Sequence, residues 1–175
     1  MTDSRIRRAV VGDVSAIADV HVQCWRETYQ GIMPDELLAS LDVVSRRRLW
    51  ARTIKHRNFD TFVCTGKAGS GIVGFACDGP RTEVPAPYEG EFRAIYILQE
   101  AHGQGLGRSL MSAMAAALTG RGYGSAALRV VRESHPTRAF YQHLGGIEVS
   151  EGSHKVESIT IAEVVYGWPD ISVLV

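Results

Sequence analysis

Residues 91–110 read EFRAIYILQEAHGQGLGRSL, and the rest of the chain can be placed relative to this stretch. Phe92 to Leu98 mixes aromatic and β-branched residues with no proline or glycine, which predicts a strand. Beyond the last glycine, Leu106, Leu110, Met114, Ala117 and Leu118 recur at helical spacing, which predicts a helix. Between the two, Gly103, Gly105 and Gly107 remove three side chains from the turn that opens the helix. Bare amide N–H groups would then point outward at the positive end of the helix dipole, a site suited to a phosphate or pyrophosphate.

Two nucleotide-binding motifs can be set against this turn. A dinucleotide fold needs G-x-G-x-x-G after an early strand, with an acid about 20 residues on. Here the spacing is G-x-G-x-G in mid-chain, and Arg121 and Gly122 stand where the acid belongs. A Walker A loop needs Gly-Lys followed by Ser or Thr, a triplet this chain lacks.

Leu98 to Arg108, LQEAHGQGLGR, instead resembles the acyl-CoA signature of the GCN5-related N-acetyltransferases (GNAT). Downstream, the strand AALRVV from Ala126 and then Ser134 to Gly145, SHPTRAFYQHLG, are similar to that family's fifth strand and Asn-to-Tyr helix. Upstream, Glu91 lies fourteen residues before Gly105, a spacing at which some members keep a catalytic glutamate. The resemblance implies an α/β (α+β) fold: a mixed, mostly antiparallel sheet, splayed between its fourth and fifth strands and flanked by helices. It also implies acetyl-CoA as co-substrate.

At 175 residues the chain fits a single domain, 1–175, able to bury a real core. Hydrophobic residues at 45% and charged residues at 22% suggest neither disorder nor a membrane protein. No apolar run approaches the ~18 residues of a membrane span. The start, MTDSRIRRAV, lacks the apolar core of a signal peptide, so the cytoplasm is the expected location. Lys plus Arg and Asp plus Glu number 19 each, so bulk charge gives no pull toward nucleic acid. Cys24, Cys64 and Cys77 have neither metal-like nor redox spacing and read as free thiols; no metal site is expected.

Taken in order, Ile6 to Val11 reads as a first strand, with Gly12-Asp13 as a turn and N-cap. A helix follows whose apolar stripe includes Ile17, Ala18, His21, Cys24 and Trp25. Trp25 and Tyr29, four apart, either pack on the core or wall the acceptor side of a cleft. Residues 34–56 read as a second helical region starting at Pro34. Phe62 to Thr65 and Ile72 to Ala76 read as a hairpin around the turn Ala68-Gly69-Ser70. Residues 79–90, with three prolines and two glycines, form a loop that could roof the cleft. A helix is expected from Pro136 to Leu144. A C-terminal hairpin around Glu151-Gly152-Ser153-His154 follows, whose edge could pair across a homodimer.

An amine must lose a proton before it attacks a thioester. For a lysine-like amine of pKa about 10.4 this costs about 4.6 kcal/mol at pH 7. Glu91 is the first candidate base, directly or through water, with Glu89 in reserve; alternation would put Arg93, Ile95 and Ile97 on its face. The leaving thiolate calls for a proton donor. Tyr141, which matches the tyrosine of the family's helix motif, is the candidate. By resemblance, amides of Gly103, Gln104, Gly105, Leu106, Gly107 and Arg108, with His102 and Ser109 beside them, would hold the pyrophosphate. The edge of the strand at Ile95, Tyr96 and Ile97 would pair with the pantetheine amides. The chain departs from the family pattern at three points: His102 replaces Arg or Gln, Ser134 replaces an Asn that contacts the cofactor arm, and Gly146 replaces an aromatic. The expected activity is transfer of the acetyl group to a primary amine of a small molecule or peptide, by direct attack in a ternary complex. The alternative is a non-catalytic acyl-CoA sensor or partner-binding module of the same fold.

Overall fold

The computed structural model describes residues 5–67, 71–156 and 159–175. Seven strands form one sheet in the order β1-β2-β3-β4-β5-β7-β6. They are β1 (Ile6–Arg8), β2 (Asp60–Thr65), β3 (Ile72–Pro80), β4 (Gly90–Ile97), β5 (Ala126–Val131), β6 (Ile147–Val156) and β7 (Ile159–Trp168). The helices are α1 (Val14–Tyr29), α2 (Asp35–Ser40), α3 (Val43–Lys55), α4 (Leu106–Gly120) and α5 (His135–His143). Every neighbouring pair of strands is antiparallel except β4–β5, which is parallel and joined only at Gly90↔Ala126 and Glu91↔Ala127. Beyond Glu91 the two strands part, and the sheet opens there.

The two faces are covered by different helices. α4 buries Leu106, Leu110, Met111, Met114 and Leu118 against one face. On the other, Ile17 and Cys24 of α1 and Trp50 of α3 join the core with Phe75 of β3. His21 lies among the rings of Trp50, Phe75 and Tyr96 and accepts the Trp50 indole N–H at Nδ1, 2.9 Å away. Burial pushes its pKa down to about 3, aided by Arg46, so it is a neutral core residue.

Three local expectations are corrected. The region 34–56 is two helices, because Asp42 takes an extended backbone and its carboxylate accepts from the N–H groups of Val44 and Ser45, capping α3 afresh. Asp13 does not cap α1 with its side chain; its carboxylate accepts from Val10 N and from both terminal nitrogens of Arg7. The predicted turn at 151–154 lies inside β6, where Gly152 pairs with Glu163 and His154 with Ile161, so the hairpin is longer than its polar residues suggested. The predicted turn Ala68-Gly69-Ser70 lies outside the described residues.

Candidate active site

The gap between β4 and β5 holds a cavity of about 440 Å³, lined by Thr28 and Tyr29 of α1, the length of β4 from Phe92, the glycine turn, Leu128 to Val130 of β5, and Pro136 to Tyr141 around α5. The strand alternation on β4 sets its chemistry. Leu98 N donates to Val73 O, so Leu98 and Tyr96 direct their backbone groups at β3, and those of Ile95 and Ile97 face the opening. A strand edge unpaired by any other strand among the described residues therefore forms one wall, its Ile97 carbonyl taken by His102.

At the mouth of α4 the three glycines do different things. Gly103 and Gly105 have φ of 72° and 79°, a left-handed backbone that a side chain would strain. Gly107 is helical, but a Cβ there would lie 2.9 Å from Cζ of Phe140, so its bareness lets α5 approach α4. The first intrahelical bond is Ser109 N to Gly105 O, which leaves the N–H groups of Leu106, Gly107 and Arg108 at the helix mouth for an anion. His102 lines the cavity with Nε2 2.8 Å from the Ile97 carbonyl, so that nitrogen carries the proton and the ring is tied to the strand edge.

Of the residues expected here, Ile95, Tyr96, Ile97, His102, Gly103, Gly105, Leu106, Gly107, Arg108, Tyr29 and Tyr141 line the cavity. Trp25, Glu91, Gln104, Ser109 and Ser134 stand outside its lining. Trp25 lies behind Tyr96 and donates its indole N–H to that hydroxyl over 3.0 Å. Gln104 directs its carbonyl to Arg5 and its side-chain amide to Glu100. Ser134 is buried, with its hydroxyl donating to Thr137 Oγ1 over 2.8 Å, and it is Thr137 that reaches the cavity.

Glu91 is buried, and its Oε2 accepts from Thr82 N, Thr82 Oγ1 and Glu83 N at 2.8, 2.9 and 3.0 Å. It does not share a face with Ile95 and Ile97. Cys77 pairs with Ala94 and Asp78 with Phe92, so Arg93 is the extra residue of a bulge that reverses the alternation. Gly90 and Ile97, an odd number of residues apart, consequently both meet α4, at Leu118 and Gly107. Glu89, the reserve, has Oε2 on Gly124 N at 2.7 Å.

Tyr141 is buried, and burial raises its hydroxyl above the ordinary tyrosine pKa, with Tyr96 adding to the effect; its proton is firmly held. The three cysteines are buried, and burial pushes the thiols of Cys24 and Cys77 up to about 12. Sequence reasoning missed Arg129, Thr137 and Phe140 as lining residues. Arg129 had a signal: it is the one charge in the otherwise apolar run AALRVV.

This arrangement is that of an acyl-CoA-dependent transferase. The acetyltransferase (GNAT) family profile matches residues 15–146, and the chain belongs to that family. It is 36% identical over 170 residues to YuaI, an uncharacterized N-acetyltransferase of Bacillus subtilis, covering 97% of this chain and 95% of that one. Solved structures with the same fold include the PaiA N-acetyltransferase of Thermoplasma acidophilum with coenzyme A, at 18% identity and a TM-score of 0.72, covering 90% of this chain and 96% of that one. YncA of Salmonella typhimurium with acetyl-CoA matches at 17% identity and a TM-score of 0.70, covering 93% and 91%. The protein is thus an acetyltransferase with acetyl-CoA as its co-substrate. Among the described residues, no helix is long and apolar enough to cross a membrane.

The cavity residues fit that co-substrate. The helix-mouth amides suit its diphosphate, the open edge at Ile95 and Ile97 suits a chain of amides, and apolar Leu128, Val130 and Phe140 suit its methylene segments.

Proposed function

We propose that this enzyme transfers the acetyl group of acetyl-CoA to a primary amine by direct attack within a ternary complex, in one catalytic domain spanning residues 1–175. The observation that carries the reading is the shared cavity: an anion-binding helix mouth, an open strand edge and a buried, protonated Tyr141 all line it. Bound acetyl-CoA supplies the activated thioester. The helix-mouth amides hold its diphosphate and the β4 edge aligns its arm. A backbone N–H of that edge polarises the carbonyl, and the protonated Tyr141 hydroxyl donates a hydrogen bond to the departing sulfur as charge develops on it.

Direct transfer is favoured over a covalent acyl-enzyme because the cysteines are buried and two of them are pushed to about 12. Glu91 acts through water, since three donors hold its Oε2 at the base of the opening. Tyr29 walls the acceptor side, with Trp25 behind Tyr96. The expected site of action is the cytoplasm, where the thiols stay reduced. The long edge strand β6 is where a homodimer would pair.

Replacing Tyr141 by Phe tests the reading. With an accepted amine, kcat should fall about 100-fold while the Kd for acetyl-CoA stays within about threefold. An unchanged kcat removes Tyr141 from the chemistry. Initial rates with both substrates varied should give intersecting reciprocal plots; parallel lines would replace direct transfer by a covalent intermediate.

A further inference from the structure

The lining of the cavity is electrically one-sided. The charged and titrating groups that reach it include Arg93, His102, Arg108 and Arg129, and no aspartate or glutamate among the described residues does. His102 and Arg108 belong to the glycine turn. Arg93 and Arg129 belong to the opposite walls of the opening. The last pair joining β4 to β5 is Glu91↔Ala127, and each arginine stands two residues past its own strand's member of that pair. Both line the same cavity, one from each strand, just past the point where the strands part.

Each guanidinium is held from outside the lining. Arg129 donates from Nη1 to Glu163 Oε2 over 3.0 Å and from Nη2 to Glu83. Arg93 donates from Nη1 to Thr82 Oγ1, lies 3.8 Å from Glu91 Oε2 and stacks over Phe59. The carboxylates therefore fix the two groups without entering the cavity. A guanidinium has five N–H groups, so both arginines keep donors for an anion. Their side chains are only 29% and 25% exposed, so a bond made there is strengthened by partial exclusion of water.

We propose that Arg93 and Arg129 form a subsite for a carboxylate carried by the acceptor, which is an amino acid or a closely similar amine with a carboxylate near its nitrogen. This rests on the acyl-transfer reading above. A carboxylate bound between the arginines leaves its neighbouring amine at the mouth of the opening, beside β4. A polyamine, which carries only positive charge, would meet two arginines and no acid in the lining.

The test measures thiol release from acetyl-CoA with the common L-amino acids, their carboxamides, their decarboxylated amines and spermidine. For the preferred amino acid, kcat/KM should exceed that of its carboxamide by about 10-fold or more, mainly through KM. In Arg93→Gln and in Arg129→Gln the ratio should fall toward one, with the Kd for acetyl-CoA within about threefold of wild type. A carboxamide, decarboxylated amine or spermidine used as well as or better than every amino acid overturns the inference and leaves acyl transfer standing; so does a preference that survives both substitutions. Thiol release with none of these acceptors, while acetyl-CoA still binds, overturns this inference; release that then appears with peptide amines leaves acyl transfer standing, and none with peptides either overturns that reading as well. The wild-type comparison decides the matter even if a variant does not fold.

Discussion

Asp78 is fully buried opposite Asp60 of β2 and Phe92 of β4, and neither of its carboxylate oxygens meets a donor among the described residues. Asp60 instead takes the nearby cations, accepting from Arg8 and, over 2.8 Å, from Arg121. Burial raises the Asp78 pKa from 3.8 to about 7, against the pull of Arg121 and Arg8. The folded protein thus keeps a proton that the unfolded chain gives up, and stability falls as pH rises through this window, by on the order of 4 kcal/mol in full. Replacing Asp78 by Asn should flatten the dependence of Tm on pH between about 4 and 7; plots of Tm against pH for the two proteins that run parallel across that range would refute the assignment. Glu91 shows the opposite device. Three donors converge on one of its oxygens and fasten the loop 81–89 to the base of the opening, a tie that fourteen residues of spacing to Gly105 could not reveal.

At the scale of elements, the bulge at Arg93 matters most. One extra residue turns Glu91 to a different face from Ile95 and Ile97, and Arg93, the residue of the bulge, lines the cleft. Gly146, where a family member would carry an aromatic, also has a reason in packing. A Cβ at Gly146 would lie 2.7 Å from Cζ2 of Trp168 and 2.9 Å from the Tyr141 carbonyl, so the Trp168 ring already fills that volume. Trp168 is fully buried, edge-on to Phe92 and Tyr141, with its indole N–H on the Leu144 carbonyl. Gly146→Ala should cost about 1–3 kcal/mol, read from urea melts, and should also disturb Tyr141. A variant as stable as wild type would show that Trp168 can move aside.

For the whole molecule, the parted sheet leaves an edge that acetyl-CoA can complete. At about 100 times its Kd the ligand should add about 2.7 kcal/mol of stability, a rise in Tm of roughly 5–10 °C for a chain of this size, seen by thermal melting. Hydrogen exchange at the Ile95 and Ile97 amides should slow on binding; exchange unaltered there would place the pantetheine arm elsewhere. The glycine turn, the strand before it and the helix after it were legible in the sequence because each depends on local rules: backbone freedom, β-propensity and apolar periodicity. The family resemblance pointed to Tyr141 and to Ile95, Tyr96 and Ile97, all of which line the cavity. Arg129, Thr137 and the roles of Gly107 and Gly146 were not legible, since these follow from which elements touch. The sequence by itself determined the alternation of strands and helices around β4, the glycine turn at the mouth of α4, and the family. Only the tertiary structure decided the face on which Glu91 lies and the placing of Arg93 and Arg129 on one cavity, because a bulge and the parting of two strands depend on contacts between residues far apart in the chain; the break between α2 and α3 follows from the Asp42 cap, whose donors lie two and three residues away.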